Sequence, residues 1–337
     1  MRRHLFNQEF FAHGVNLAWL DGYYDHDLGR NEVMGHDSGA YSEYLHKENL
    51  HTYFKDISRM NARLVRLFLF ERFEGLKFDQ KGNVTGIDDD MMNNIANVMD
   101  AARKHNLRLY LCLMDTWGVS VESQEHLERL NHIILNEQVR KSFIENALKS
   151  FLSDSRIRHD SIFAIDVMNE PEGLYTSVWR ADLEWVEIID FIRECTEAIH
   201  EKSRFRVSCG FQHYQTLVEY RNELNGLDFY DYHEFNDDGT LIPYSNLGIE
   251  KPCIIGACGQ RDEKYDDKVQ HKAVEGFLKN AWKNGYAGCI IWNYNYKGYD
   301  TSDTSNRYSL IKSDGRWREA CNSVVKFGKQ HRNEMLL

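Results

Sequence analysis

No Ser/Pro/Gly-rich linker and no low-complexity tract divides this chain, which has only three prolines in 337 residues. Nothing in it marks a domain boundary, and a single domain spanning 1–337 is the simpler reading. No run of about 18 apolar residues is present, and the basic start is not followed by an apolar stretch long enough for a signal peptide. Positive charge is in deficit: 41 Lys and Arg against 52 Asp and Glu give a net charge of −11. That sign argues against nucleic acid or an anionic membrane as partner. The seven cysteines are odd in number and form no C-x-x-C pair. They read as small buried hydrophobes in a reducing compartment, and the expected location is the cytoplasm. The fifteen histidines show no metal-ligand spacing, and no cofactor is implied.

What the chain does have is apolar substance, 42% of residues hydrophobic and 13% aromatic, enough for one large core. Eight short runs rich in β-branched and aromatic residues recur near 12–18, 63–69, 107–113, 162–168, 205–211, 227–232, 253–256 and 287–292. Between them lie stripes of helical period. Ile95, Val98, Met99 and Ala102 form one, and Ile188, Ile189, Ile192, Cys195 and Ile199 another. Further helices are expected over 46–60, 138–153, 214–224, 269–283 and 316–330, and no clear one over 233–252. Near-continuous apolar strands alternating with helices describe an α/β chain with a parallel sheet covered on both faces. An eight-stranded (β/α)8 TIM barrel is the expected fold. The competing open doubly wound sheet often carries a Gly-rich phosphate turn after its first strand, and Gly14-Val15-Asn16-Leu17 has none. Long loops are expected at 19–45, 114–136 and 293–315. They carry Trp19, Tyr23, Tyr24, Tyr41, Tyr44, Trp117, Tyr294, Tyr296 and Tyr299, aromatics suited to stacking on sugar faces or to covering a barrel mouth.

The sharpest motif is Phe163-Ala164-Ile165-Asp166-Val167-Met168-Asn169-Glu170-Pro171. Proline cannot continue a central strand, so Asn169 and Glu170 stand at its carboxyl end, where barrel enzymes assemble their sites. A buried carboxyl there has its pKa raised and serves as a general acid.

This segment resembles the fourth-strand Asn-Glu-Pro motif of the clan A glycoside hydrolases, especially the family 5 cellulases and mannanases. The resemblance extends over most of the chain. Gly14-Val15-Asn16 is similar to the first strand, Asn61 with Leu64-Val65-Arg66-Leu67 to the second with its active-site arginine, His233 to the sixth-strand histidine, and Trp292 to the eighth-strand tryptophan platform. The resemblance implies that Glu170 is the acid/base and that Asn169 bonds the sugar 2-hydroxyl. It further implies that Arg66 orients neighbouring carboxylates, that His233 faces substrate and that Trp292 stacks on the sugar; Trp19 and Trp117, as loop aromatics, are further candidates for substrate contact.

Strand seven departs from the resembled pattern. Retaining glycosidases need a second carboxylate about 5 Å from the acid/base, and in the resembled families it ends that strand. Here the strand reads Cys253-Ile254-Ile255-Gly256-Ala257-Cys258, so Ala257 fills the nucleophile position. The tyrosine expected two residues after the strand-six histidine is Phe235. Glu71, Asp115 and Glu234 are alternative carboxylates, although each reads more simply as a surface acid. Three functions stay open: a glycosidase-like protein that has lost its nucleophile and binds a β-linked oligosaccharide, an active glycosidase using a substitute carboxylate, or a non-catalytic carbohydrate sensor.

Overall fold

The structure is a computed structural model that describes residues 11–20, 27–33, 35, 47–116, 124–175, 183–261, 267–294, 308–312 and 314–332. Eight parallel strands close into a barrel: β1 (Ala12–Asn16), β2 (Leu64–Phe68), β3 (Arg108–Cys112), β4 (Ile162–Asn169), β5 (Arg206–Phe211), β6 (Tyr230–Glu234), β7 (Cys253–Cys258) and β8 (Gly288–Ile291). Each pairs with its neighbours in sequence, and β8 pairs with β1. Helices over Lys47–Arg59, Asp89–Lys104, Trp185–Lys202, Tyr214–Tyr220, Asp267–Lys283 and Ala320–Gln330 occupy the expected stretches. Between β6 and β7, where every residue is described, the only helical element is a short 3-10 turn, Tyr244–Asn246.

Two features differ from expectation. The stretch 114–136 is not all loop, because a helix runs over Gln124–Leu135 and buries Leu130, Ile133 and Ile134. A small antiparallel hairpin, Leu76–Phe78 with Val84–Ile87, follows β2. Its strands are too short to show a period in the sequence.

Alternation along the strands sorts residues into two layers. Val65, Leu67, Leu109, Leu111, Val207 and Cys209 face outward and join Ile95, Val98 and Met99 of the surrounding helices in one core. Ala12, Leu64, Tyr110, Ala164, Phe229, Ile254 and Ile290 fill the lower interior. Each large side chain among them contributes about 1.5–3 kcal/mol by leaving water. Above this plug the inward positions turn polar: Arg66, Asp166, Asp231 and His233 are all buried. All seven cysteines are buried and free, as small hydrophobes would be.

Two register shifts at the upper rim aim the remaining side chains. Asp166 pairs with Ser208 and Asn169 with Gly210, so β4 uses one residue more than β5 over that span. The extra residue brings Asn169 onto the same inner face as Asp166, which strict alternation would forbid. On β7, Ile255 pairs with Tyr232 but Ala257 pairs with His233. Ala257 therefore shares the inner face with His233.

Candidate active site

Arg66 is the hub. Its Nε and Nη2 donate to Asp166 Oδ2 at 3.1 and 2.5 Å, its Nη1 to Asn16 Oδ1 at 3.2 Å, and its Nη2 to Asn169 Oδ1 at 2.9 Å. Burial, the largest single influence, opposes its charge, but Asp166 together with Cys112, Tyr110 and Asp231 outweighs that and keeps its pKa above the ordinary arginine value. Asn169 is held from both ends, since its Nδ2 donates to Asp115 Oδ1 at 2.8 Å. Room for this layer depends on two glycines. A Cβ on Gly210 would stand 2.9 Å from His233 Nε2 and 3.2 Å from Arg66 Nη2, and one on Gly256 would stand 2.0 Å from Asp231 Oδ2.

Glu170 leaves the strand with a φ of 48°, a left-handed conformation that costs about 1–2 kcal/mol for a residue with a Cβ. Its N–H donates to Gly210 O at 2.7 Å, and Thr116 Oγ1 donates to its carbonyl at 2.5 Å, which fixes the bend. The carboxyl then meets His233, Oε1 to Nδ1 at 2.6 Å. Burial, and after it the charge of Asp115, push the Glu170 carboxyl up to about 8. His233 is held well below the usual imidazole range, mainly by burial and then by Arg66. The contact is thus a hydrogen bond with a neutral imidazole. A carboxyl still protonated near neutrality has the property a general acid needs.

Between the ordinary carboxyl value of 4.5 and about 8, the unfolded chain has lost the Glu170 proton and the native protein has kept it. Stability from this group is complete below the unfolded pKa and is lost as pH rises through the folded one. Burial raises Glu71, Glu74 and Asp231 in the same direction. His13, lowered from 6.5 to about 4 by burial, opposes this on the acid side, so the clean window opens above 6.5. Chemical denaturation should show stability falling from pH 6.5 to 8, with Glu170 supplying about 2 kcal/mol. Glu170→Gln should remove that part of the slope. An equally steep slope in the variant would show that Glu170 does not hold its proton.

Trp292 and Trp19 lie at the mouth, T-shaped at 5.7 Å, with Phe68 completing the cluster. Trp19 Nε1 donates to Glu71 Oε2 at 2.5 Å. Here the surface-acid reading fails. Glu71 and Asp115 are buried, at 1% and 4% exposure, because the turn after β2 folds in beneath Trp19 and Asp115 extends β3 beside Asn169. Burial, then Asp115, push the Glu71 carboxyl well above its usual range. Glu234 is half-buried and accepts from Asn236 Nδ2 at 3.2 Å. Tyr294 is not a mouth aromatic. It is buried and donates to Asp56 Oδ2 at 3.1 Å. Trp117 and the loop tyrosines Tyr23, Tyr24, Tyr41, Tyr44, Tyr296 and Tyr299 lie outside the described residues.

The structure therefore gathers Arg66, Asn169, Glu170 and His233 into one network, with Trp19 and Trp292 forming the aromatic cluster at the mouth and Ala257 beside His233. The sequence patterns did not single out Asp166 as the partner of Arg66 or Thr116 as the clamp on Glu170. A usable signal existed for the first: two opposite charges, each alone in an apolar strand.

No protein-family model matches the chain. It is 30% identical over 328 residues to a mannan endo-1,4-β-mannosidase of Mytilus edulis, covering 84% of this chain and 83% of that one. A second mannan endo-1,4-β-mannosidase, from Cryptopygus antarcticus, is 24% identical over 344 residues, covering 88% and 83%. The fold is shared with the β-1,4-mannanase of Aplysia kurodai at a TM-score of 0.67 and 20% identity, over 93% of this chain and 96% of that one.

Proposed function

This chain belongs to the family of the mannan endo-1,4-β-mannosidases, glycoside hydrolases of family 5, and from that premise we propose that its cleft binds a β-1,4-linked mannan oligosaccharide without the nucleophile of a retaining enzyme. The observation that carries this reading is the pairing of His233 with Ala257 on one inner face. A proton-bearing Glu170 touches that same histidine. The acid is kept, and the position from which a carboxylate would attack presents a methyl group. With the acid alone, the leaving oxygen is protonated but no covalent glycosyl-enzyme forms. Asn169, fixed by Arg66 and Asp115, offers its amide to a sugar hydroxyl, and Trp292 offers apolar area to a ring face. The buried free thiols support residence in a reducing compartment.

Calorimetry with mannopentaose tests the binding, and product analysis on mannan tests the turnover. Binding without turnover is expected, and no affinity for any β-1,4-linked hexose chain would reject the reading. Trp292→Ala should weaken mannopentaose binding roughly 10-fold, from about 1–2 kcal/mol of lost contact. Equal affinity would return Trp292 to the core.

A second reading is favoured by one observation, the burial of Glu71 and Asp115 near the acid. Inverting enzymes use carboxyls about 6.5–9.5 Å apart with a water between them. Turnover by the unaltered chain with inversion, abolished by Glu71→Gln or Asp115→Asn, would establish a substitute base in place of the missing nucleophile.

A further inference from the structure

His51 and His105 meet between two of the helices that surround the barrel, Lys47–Arg59 and Asp89–Lys104. His51 Nδ1 lies 3.3 Å from His105 Nε2, with the ring centroids 5.4 Å apart at 62°. The two residues are 54 positions apart in the chain, so no ligand spacing in the sequence announces the pair. Both rings are half-buried and neither takes part in the network around Arg66 and Glu170. Two neutral imidazoles in this arrangement share one hydrogen, the N–H of one donating to the lone pair of the other. The same nitrogens are ligands for first-row transition ions. With the nitrogens 3.3 Å apart, a Zn2+ ion about 2.0–2.1 Å from each would make an N–Zn–N angle of about 105–110°, close to tetrahedral. A modest turn of the two rings reaches that point. The donor ring would carry its proton on its other nitrogen instead, so both lone pairs face the ion and neither ring changes charge.

Burial, and after it Lys104, holds His51 below the ordinary imidazole value, and burial, then His51 itself, does the same for His105. Both rings are therefore uncharged near neutrality, the form that binds metal. Lys104 and Lys55 are the positive groups facing the pair, and they oppose a cation. Both are exposed and hold their ammonium groups in water. His105 also closes the carbonyl end of Asp89–Lys104, where the helix dipole favours positive charge. Among the described residues no group of three or more His, Cys, Asp or Glu side chains gathers as metal ligands, so water would complete the shell. We propose that His51 and His105 form a two-histidine site for a divalent first-row transition ion, Zn2+ or Ni2+, which ties the first two helices of the barrel wall together. The site is separate from the cleft and stands whether or not the chain binds sugar.

The test is calorimetry of the full chain, free of any affinity tag, with NiCl2 and with ZnCl2 at neutral pH, alongside its His51→Gln and His105→Gln variants. With two protein ligands in place of the four of a structural site, one ion per chain should bind with a dissociation constant on the order of 10 µM. Each variant should weaken that by at least roughly 10-fold, because a lone imidazole loses the effective concentration of its partner. Thermal melting gives a second readout. Saturating NiCl2 should raise the Tm of the unaltered chain by about 2–4 °C and that of either variant by less than half as much. Melting without metal controls for folding, and either variant alone decides if the other fails to fold. Equal affinity in a folded variant would assign the ion to other side chains and overturn the site. No saturable binding by the unaltered chain below about 1 mM would overturn it as well.

Discussion

Ala257→Glu should turn this protein into a retaining β-mannanase, with turnover at least roughly 10³-fold above that of the unaltered chain. The register that pairs residue 257 with His233 places the new side chain on the inner face, on the strand across from Glu170. Its carboxylate would attack the anomeric carbon while Glu170 delivers its proton to the leaving oxygen. Glu170, now ionised, would then activate the water that releases the sugar with its configuration retained. At 2% exposure the position is dry, so desolvation would oppose ionisation of the new carboxylate. Phe235→Tyr in the same chain should raise the rate further by offering a hydroxyl to the ionised form. The unaltered chain provides an independent check. With an activated aryl β-mannoside, azide should attack in place of the absent side chain, displacing the aryloxide and giving a mannosyl azide of inverted configuration. A folded, sugar-binding double variant that turns over no glycoside, together with no azide product, would leave only the binding and sensor readings.

Arg66→Met should destabilise the protein by about 3–5 kcal/mol, the usual consequence of stripping a buried charge of its partner. Arg66 is fully buried and holds Asp166, Asn16 and Asn169 at once. Methionine matches much of its length but leaves the Asp166 carboxylate in a dry interior without its counter-charge, held by the backbone N–H groups of Met168 and Gly210 and the Cys112 thiol. Denaturant titration measures the loss. Adding Asp166→Asn should recover part of it, because the unpaired charge is then gone. A loss below about 1 kcal/mol, or no recovery in the double variant, would show that the pair does not act as a unit.

Much of the fold and the site was legible in the chain. The eight strands announce themselves as short apolar runs, since parallel strands covered on both faces leave few polar positions to blur the pattern. Asn169-Glu170-Pro171 marks a strand end because proline forbids continuation, and the alanine at 257 stands out as soon as strand seven is identified. The hairpin after β2 and the Gln124–Leu135 helix were not legible, the first too short and the second mostly polar between its buried residues.

The sequence by itself determined the strand order, the carboxyl at 170 and the methyl group at 257, because those are matters of residue identity along one line. Tertiary structure alone decided which way the rim residues point. Alternation from Asp166 sends Asn169 outward, and only the slip of β4 against β5 brings it to Arg66 and Asp115. Glu71 and Asp115 read as surface acids until the turn after β2 and the extension of β3 enclosed them. Pairing register and burial depend on the neighbouring strand, and a single strand's own residues do not encode where its neighbour slips.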